Sequence, residues 1–417
     1  MSSTSDAFYR GNHYLDADET LALCLALCRA FPRWVSYSDV AKTRGGRPLF
    51  VLTIGDHDAD PAQRPAFWMD AGTHAVEWTG VASCMFAASR WIEALSTGDS
   101  ATTDWFRTHT VYCMPLISPD GVQAMFDGVP FLRSSLRPPP EGTVRSGLNP
   151  HDVDGDGAIR WMRWRHPAGP FVPDEDVPIA MRPRRLDDDP NNAWFLSMEG
   201  EFINWDGVRW TNAPREFGLD LNRNFPDAWR PFSMFGMDSG LYALSEAESR
   251  AVVDAFTARP FIGCALTNHT YTGALLTAPS RPDDPMSDSD VRQMALLAEE
   301  AVETTDYRVI RKHPTFQYDA KNPVVGCWDD AMCNTFGVAG FTLELWDPFR
   351  YCGVDNPDPA GFFKKPEWSK LKTMLGKFSE DPGAVEPWRA FDHPQLGPVE
   401  IGGIDYLRTV RNPPVSL

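Results

Sequence analysis

Apolar positions along the first third of the chain recur in two alternating rhythms. Between residues 18 and 31, Leu21, Cys24, Leu25 and Cys28 fall on one helical face, with Asp16 or Asp18 as candidate N-cap and Pro32 as a stop. An amphipathic helix is predicted there. Gly45-Gly46-Arg47 then turns the chain into Leu49-Phe50-Val51-Leu52-Thr53-Ile54, a run of strand length, and Ala66-Phe67-Trp68-Met69 predicts a second buried strand. Val81, Met85, Ala88 and Ile92 follow at spacings of 4, 3 and 4, so a helix packs back on those strands. Thr110 to Pro115 predicts another strand, ending in the turn Ser118-Pro119-Asp120-Gly121.

Residues 137–217 break this rhythm with three consecutive prolines, an Asp-rich stretch and scattered tryptophans, and read as a long insertion partly ordered by those tryptophans. The α/β texture then resumes. Ser245-Glu246-Ala247-Glu248 looks like a capping box opening a helix through Phe256, Phe261 to Thr267 is a strand leading to Asn268-His269, and a helix is predicted near 288–303. Phe341 to Leu345 is the last clear strand of the pattern. The segment 376–417 reads as a C-terminal extension that adds an edge strand around Val399-Glu400-Ile401. The fold expected is α/β, a mixed and largely parallel sheet flanked by helices, in a single elaborated domain over 1–375.

Composition narrows the function. With 43% apolar residues, 15 Trp and 25 Phe, the chain can bury a large core and is not disordered. A net charge of −18 argues against nucleic acid or an anionic membrane surface as partner, since both need clustered Lys and Arg. Met1-Ser2-Ser3-Thr4-Ser5-Asp6 has no basic stretch followed by an apolar one, and no later run approaches about 18 apolar residues, so a cytoplasmic protein is expected. The eight cysteines form no C-x-x-C and are expected as reduced, mostly buried thiols.

Candidate chemistry collects where predicted strands end. His74 and Glu77 stand three residues apart after the Ala66–Met69 run, a spacing that sets both side chains on one side of a helical turn. An imidazole and a carboxylate so placed can hold a divalent cation, zinc first among them, although an exposed helix-face pair is the ordinary alternative. His269 and Glu344 end two further strands, and sites in open α/β sheets lie beyond the carboxyl ends of strands. Within the insertion, Asp152, Asp154 and Asp156 sit as in the first positions of a calcium loop, with Arg163 where the loop's Glu should be. A structural Ca²⁺ and a solvated Asp/Gly turn are both compatible with that stretch.

His74-x-x-Glu77, Gly218-Leu219-Asp220-Leu221-Asn222-Arg223-Asn224-Phe225-Pro226, His269-Thr270-Tyr271 and Phe341-Thr342-Leu343-Glu344-Leu345 occur in the order found in zinc metallocarboxypeptidases of the carboxypeptidase A type, which the chain resembles over roughly residues 10–375 apart from the insertion. The resemblance implies Zn²⁺ held by His74, Glu77 and His269, Asp220 as hydrogen-bond partner of the first histidine, and Glu344 as general base. It further implies a peptide substrate whose free C-terminal carboxylate is gripped by Asn222 and Arg223, with Arg133 or Arg137 stabilising the oxyanion and Tyr318 as lid. Asp329, fifteen residues before Glu344, stands where family members selective for basic C-terminal residues can carry an acid. Val76 stands where the family has an arginine, and Leu132-Arg133-Ser134 replaces the family's W-R-K. The short stretch before the first helix leads to an expectation of activity without proteolytic maturation. The rival readings are an N-acyl amino-acid deacylase of the aspartoacylase type and a non-catalytic metal-binding module.

Overall fold

In the computed structural model, which describes residues 8–415, Asp16 begins the first helix, Ala17–Ala30, through a capping box with Glu19. The reading of Met1 to Asp6 lies outside the described residues. The rhythms along the chain become an eight-stranded sheet: β1 (Val35–Lys42), β2 (Pro48–Ile54), β3 (Ala66–Ala71), β4 (Thr110–Met114), β5 (Ile262–Thr270), β6 (Ala274–Thr277), β7 (Arg308–Arg311) and β8 (Ala339–Leu345). Their spatial order is β1-β2-β4-β3-β5-β8-β6-β7. The central strands β4, β3, β5 and β8 run parallel, while β1, β2 and the β8–β6 pair are antiparallel. The mixed sheet flanked by helices is the architecture expected.

Two apolar layers cover the sheet. On one face the helices Ala17–Ala30 and Trp78–Thr97 bury Leu27, Val81, Met85, Ala88 and Ile92 against Phe50, Leu52 and Met69. On the other, the helix Ala247–Thr257 packs Val252 and Phe256 against Val51 and Trp68. That last helix starts where expected but without the capping box. Asn224 Oδ1 instead accepts from Glu246 N and Ser249 Oγ, so a distant amide does the capping. Ser118-Pro119-Asp120-Gly121, expected as a turn, runs directly into the short helix Pro119–Phe126 with its proline in the first turn.

The largest departure concerns the insertion and the extension. Trp161–Arg165, Trp194–Met198, Phe171–Pro173 and Met181–Pro183 from the insertion join Val385–His393 and Gly397–Ile404 from the extension in one antiparallel six-stranded sheet. Gly397–Ile404 pairs on both sides, with Val385–His393 and Trp161–Arg165, so Val399 to Ile401 is an interior strand of a second sheet rather than an edge of the first. Met162, Trp164, Phe202, Val399 and Ile401 form its core, with Phe195, Trp205 and Trp210 packed around them. Trp164 of the insertion thus shares a core with Val399 and Ile401 of the tail.

All eight cysteines are free, five of them buried. No helix among the described residues is long and apolar enough to cross a membrane.

Candidate metal centre

Three parallel strands deliver the site. β3 ends at Ala71, and Gly72 takes φ of +69°, where an added Cβ would also meet Leu116 Cδ1 at 2.8 Å. The chain then turns through His74 to Glu77, which precedes the helix Trp78–Thr97 instead of lying within it. The spacing of three therefore works in a turn closed by Glu77 N donating to His74 O at 3.1 Å, not on the helical face expected from sequence. Gly80, one turn into the helix, lets it approach β5 so closely that a Cβ would meet the Asn268 carbonyl at 2.7 Å. That contact sets Glu77 beside His269, the next residue of β5.

His74, Glu77 and His269 converge, all buried. His74 Nδ1 lies 3.0 Å from Glu77 Oε1, His269 Nδ1 2.9 Å from Glu77 Oε2, and the two imidazole nitrogens 2.9 Å from each other. His74 Nε2 is 3.1 Å from Asp220 Oδ1, which accepts its proton and leaves the Nδ1 lone pair facing the cluster. Two imidazoles and one carboxylate with converging lone pairs suit Zn²⁺, so the donor set fits that ion. Burial raises the Glu77 and Asp220 pKa values, but His74 and Arg133 beside both hold each well below the usual carboxylate range, with Arg223 adding its charge at Asp220.

β8 brings Glu344 alongside. In the parallel β5–β8 ladder Glu344 is paired with His269. It is half-buried, and burial together with the charge of Glu77 pushes its pKa up to about 7, against the opposing pull of His269, Arg133 and Arg411. A carboxylate that exchanges a proton near neutrality can act as both acid and base.

Of the two arginines open from sequence, Arg133 is at the centre. Its Nη1 lies 2.8 Å from Glu77 Oε1 and its Nε 3.4 Å from Asp220 Oδ2. Arg137 pairs with Asp238 and lies 3.8 Å from Glu246, away from the metal candidates. Asp220 begins the short turn Leu221–Arg223, in which Asn222 Oδ1 accepts from Trp328 N at 2.8 Å and Arg223 approaches Cys327 Sγ at 3.5 Å. Tyr318 packs edge-on against Phe316 and Phe235. Burial and the charge of Glu344 push its pKa up to about 12 while Arg133, Arg223 and Arg411 pull the other way, so the phenol shares this electrostatic environment.

Asp329 is different from the expectation. It is wholly buried, and Lys312 Nζ lies 2.5 Å from its Oδ1 and 3.7 Å from Asp330 Oδ2. A lysine of the protein itself already neutralises the acid on which a basic preference was expected to rest. At the calcium-like loop, Asp152, Asp154 and Asp156 do cluster. Asp152 accepts from Gly155 N and Gly157 N, however, and Arg389 Nη2 lies 3.0 Å from Asp154 and 2.8 Å from Asp156. Arg163, at the loop's last position, pairs with Glu400 across the second sheet. Protein cations and backbone donors thus serve these carboxylates, and calcium receives no support.

Sequence reasoning missed Arg411. Its Nη1 lies 3.6 Å from Glu77 Oε1 and donates to Thr270 O at 3.2 Å. Nothing near residue 411 resembles a motif, and only the three-dimensional path of the tail brings it here.

A sequence model described as zinc carboxypeptidase matches residues 20–156 and 195–367. Mouse carboxypeptidase A4 is 31% identical over 350 residues, 83% of this chain and 65% of that protein. Carboxypeptidase B of Astacus astacus is 30% identical over 113 residues, 27% of this chain and 35% of its own length. The chain thus spans less than two thirds of either relative. Among solved structures, carboxypeptidase A from Helicoverpa armigera superposes with a TM-score of 0.54 at 17% identity, covering 88% of this chain and 74% of that one. Thrombin activatable fibrinolysis inhibitor gives 0.53 at 17% identity with the same coverage. These two likenesses concern the fold.

Proposed function

The chain belongs to the zinc carboxypeptidase family, and we propose that it is a zinc-dependent carboxypeptidase that hydrolyses the C-terminal peptide bond of peptides. His74, Glu77 and His269 would hold the ion, with Asp220 fixing the tautomer of His74. Bound there, Zn²⁺ supplies Lewis acidity to a carbonyl and brings a water's pKa towards about 7. Glu344 takes the proton of the attacking water and returns it to the leaving amine. Arg133 donates to the carbonyl oxygen as negative charge develops on it. Asn222 and Arg223 grip the terminal carboxylate, a planar guanidinium being well shaped for a bidentate pair. Tyr318 closes over the bound end of the peptide.

The observation that supports this reading most is the pairing of Glu344 with His269 in one ladder, which sets a proton carrier beside the three converging donors. For the residue removed, Lys312 against Asp329 favours uncharged over basic side chains. Eight free thiols favour a reducing compartment, read here as the cytoplasm.

The test is a panel of peptides ending in Lys, Arg, Phe, Glu and diaminopimelate together with N-acyl amino acids, assayed with the wild type and Glu344→Gln. Release of C-terminal residues by the wild type alone, without preference for Lys or Arg, is expected. Cleavage confined to N-acyl amino acids would assign a deacylase. No cleavage of any member, with zinc bound, would assign a non-catalytic metal-binding module.

A further inference from the structure

The residues after the second sheet return to the metal centre and are fastened there at several points. Asn412, fully buried, donates from Nδ2 to Val76 O at 2.9 Å and accepts at Oδ1 from Thr79 N at 3.0 Å, so it spans the turn that carries Glu77. Trp346, two residues beyond Glu344, donates from Nε1 to Thr409 O at 2.8 Å, and Tyr14 Oη donates to Pro413 O at 2.6 Å. The tail is therefore tied to the loop after β3 and to the end of β8 together.

Between these ties stands Arg411. Its guanidinium lies over the ring of Tyr271 at 4.8 Å, Nη1 donates to Thr270 O, and Nη2 reaches Tyr406 Oη at 3.3 Å. Its side chain is 16% exposed, and its Nε is buried without a partner among the described residues. The 3.6 Å approach to Glu77 Oε1 is an ion pair too long for a hydrogen bond. A guanidinium has five donors in a fixed fork, of which Nη1 and Nη2 here make one hydrogen bond each, so a side chain that is still 16% exposed keeps N–H donors for an oxygen acceptor supplied by a ligand. Val76 in the neighbouring turn contributes a carbonyl to the Asn412 tie and no charge. Arg411 also lies outside both segments matched to the family.

We propose that Arg411 is a substrate-binding residue, brought to the metal centre by the tail, which donates to the peptide carbonyl one residue upstream of the bond to be cleaved. This rests on the carboxypeptidase reading above. With the terminal carboxylate at Asn222 and Arg223 and the reacting carbonyl at Arg133, the upstream residue is the part of the peptide left to meet Arg411, whose Nη1 faces the same Glu77 oxygen, Oε1, as Arg133 Nη1. The tail thereby becomes part of the substrate site, and Asn412 is a positioning residue that holds the guanidinium in reach.

The experiment separates binding from turnover. Two ligands share the same C-terminal residue, the one best cleaved in the panel: an N-acetyl-phenylalanyl ligand with the upstream amide carbonyl, and its 3-phenylpropionyl analogue without it. Their dissociation constants are measured calorimetrically on the zinc-loaded Glu344→Gln protein, alone and combined with Arg411→Met, Arg411→Lys or Asn412→Ala. Arg411→Met is expected to weaken the acetylated ligand about 10- to 100-fold, the value of a charge-assisted hydrogen bond, and the analogue by less than about threefold. Arg411→Lys should recover part of the difference, and Asn412→Ala should lose part of it with zinc content unchanged. Should Arg411→Met not fold, the ratio between the two ligands in Arg411→Lys decides, since a lysine lacks the fork.

Equal weakening of both ligands, or none, overturns the proposal. Hydrolysis by the wild type together with an unchanged ratio in Arg411→Met leaves the carboxypeptidase reading standing and removes this one. Arg411-dependent binding without wild-type hydrolysis rejects the carboxypeptidase reading and, with it, the place given to this contact beside a bond to be cleaved, leaving Arg411 as a contact for a bound peptide only. Failure of both ligands to bind, with no hydrolysis by the wild type, rejects both.

Discussion

The eight-stranded and six-stranded sheets are assembled in opposite ways. The first alternates strands with helices, and its central strands β4, β3, β5 and β8 each carry a run of apolar residues long enough to be recognised alone. The second joins strands of three to nine residues from two segments that the chain separates widely, as when Arg163 meets Glu400. One sheet carries the metal candidates at its strand ends, and the chain leaving the other returns to them, with Arg411 Nη1 3.6 Å from Glu77 Oε1. Chemistry concentrated at strand ends can thus be completed by a region that carries no recognisable chemistry of its own.

The contrast predicts which perturbations remove activity and which remove stability. Chelation of the metal should abolish hydrolysis and lower the melting temperature, with both restored by Zn²⁺, because an ion that binds only the folded state stabilises it. If activity survives exhaustive chelation, the assignment of His74, Glu77 and His269 as its ligands is wrong. Glu344→Gln should lower kcat by about 10²–10⁴ while zinc content stays unchanged, as metal analysis beside a turnover assay will report. Arg133→Ala should cost about 10²–10³ in kcat. A change confined to KM would make it a ground-state contact instead.

The remaining changes act on stability. Lys312→Met leaves Asp329 and Asp330 without their cation and should destabilise by about 3–5 kcal/mol in denaturant unfolding. Trp164→Ala empties the centre of the second sheet, where Trp164 packs against Phe195 and Trp210, and should cost about 3–5 kcal/mol. Its zinc content should remain that of the wild type. Loss of zinc in Trp164→Ala would mean that the two sheets do not divide support and completion as described.

The same contrast explains what could be read from the chain. His74, Glu77, His269 and Glu344 stand at the ends of strands whose apolar runs announce them, so both elements and candidates were legible. The turn that carries His74 and Glu77 was not, because a spacing of three suits a helix face and a tight turn equally. Asp329 was legible as an acid ahead of Glu344, but its charge is met by Lys312, seventeen residues earlier and in no pattern with it. Of the second sheet only the strand around Val399 to Ile401 was legible, since the insertion's strands are three to five residues long and pair with partners far along the chain. Arg411 belongs to the same class, an arginine in a region with weak local signals whose meaning comes only from where Asn412 ties it.

The pairing of His269 with Glu344 has a bearing on how such a protein can vary. Adjacent strands lie about 4.8 Å apart, and a slip of one residue would turn one side chain to the opposite face. The separation of the proposed ligand and base is therefore graduated by a backbone ladder, as on a ruler, and the length of the chain looping between them does not enter. Insertions between β6 and β8 can alter the surroundings of the two groups while the distance between them stays constant, so the neighbourhood is free to drift on a fixed gauge.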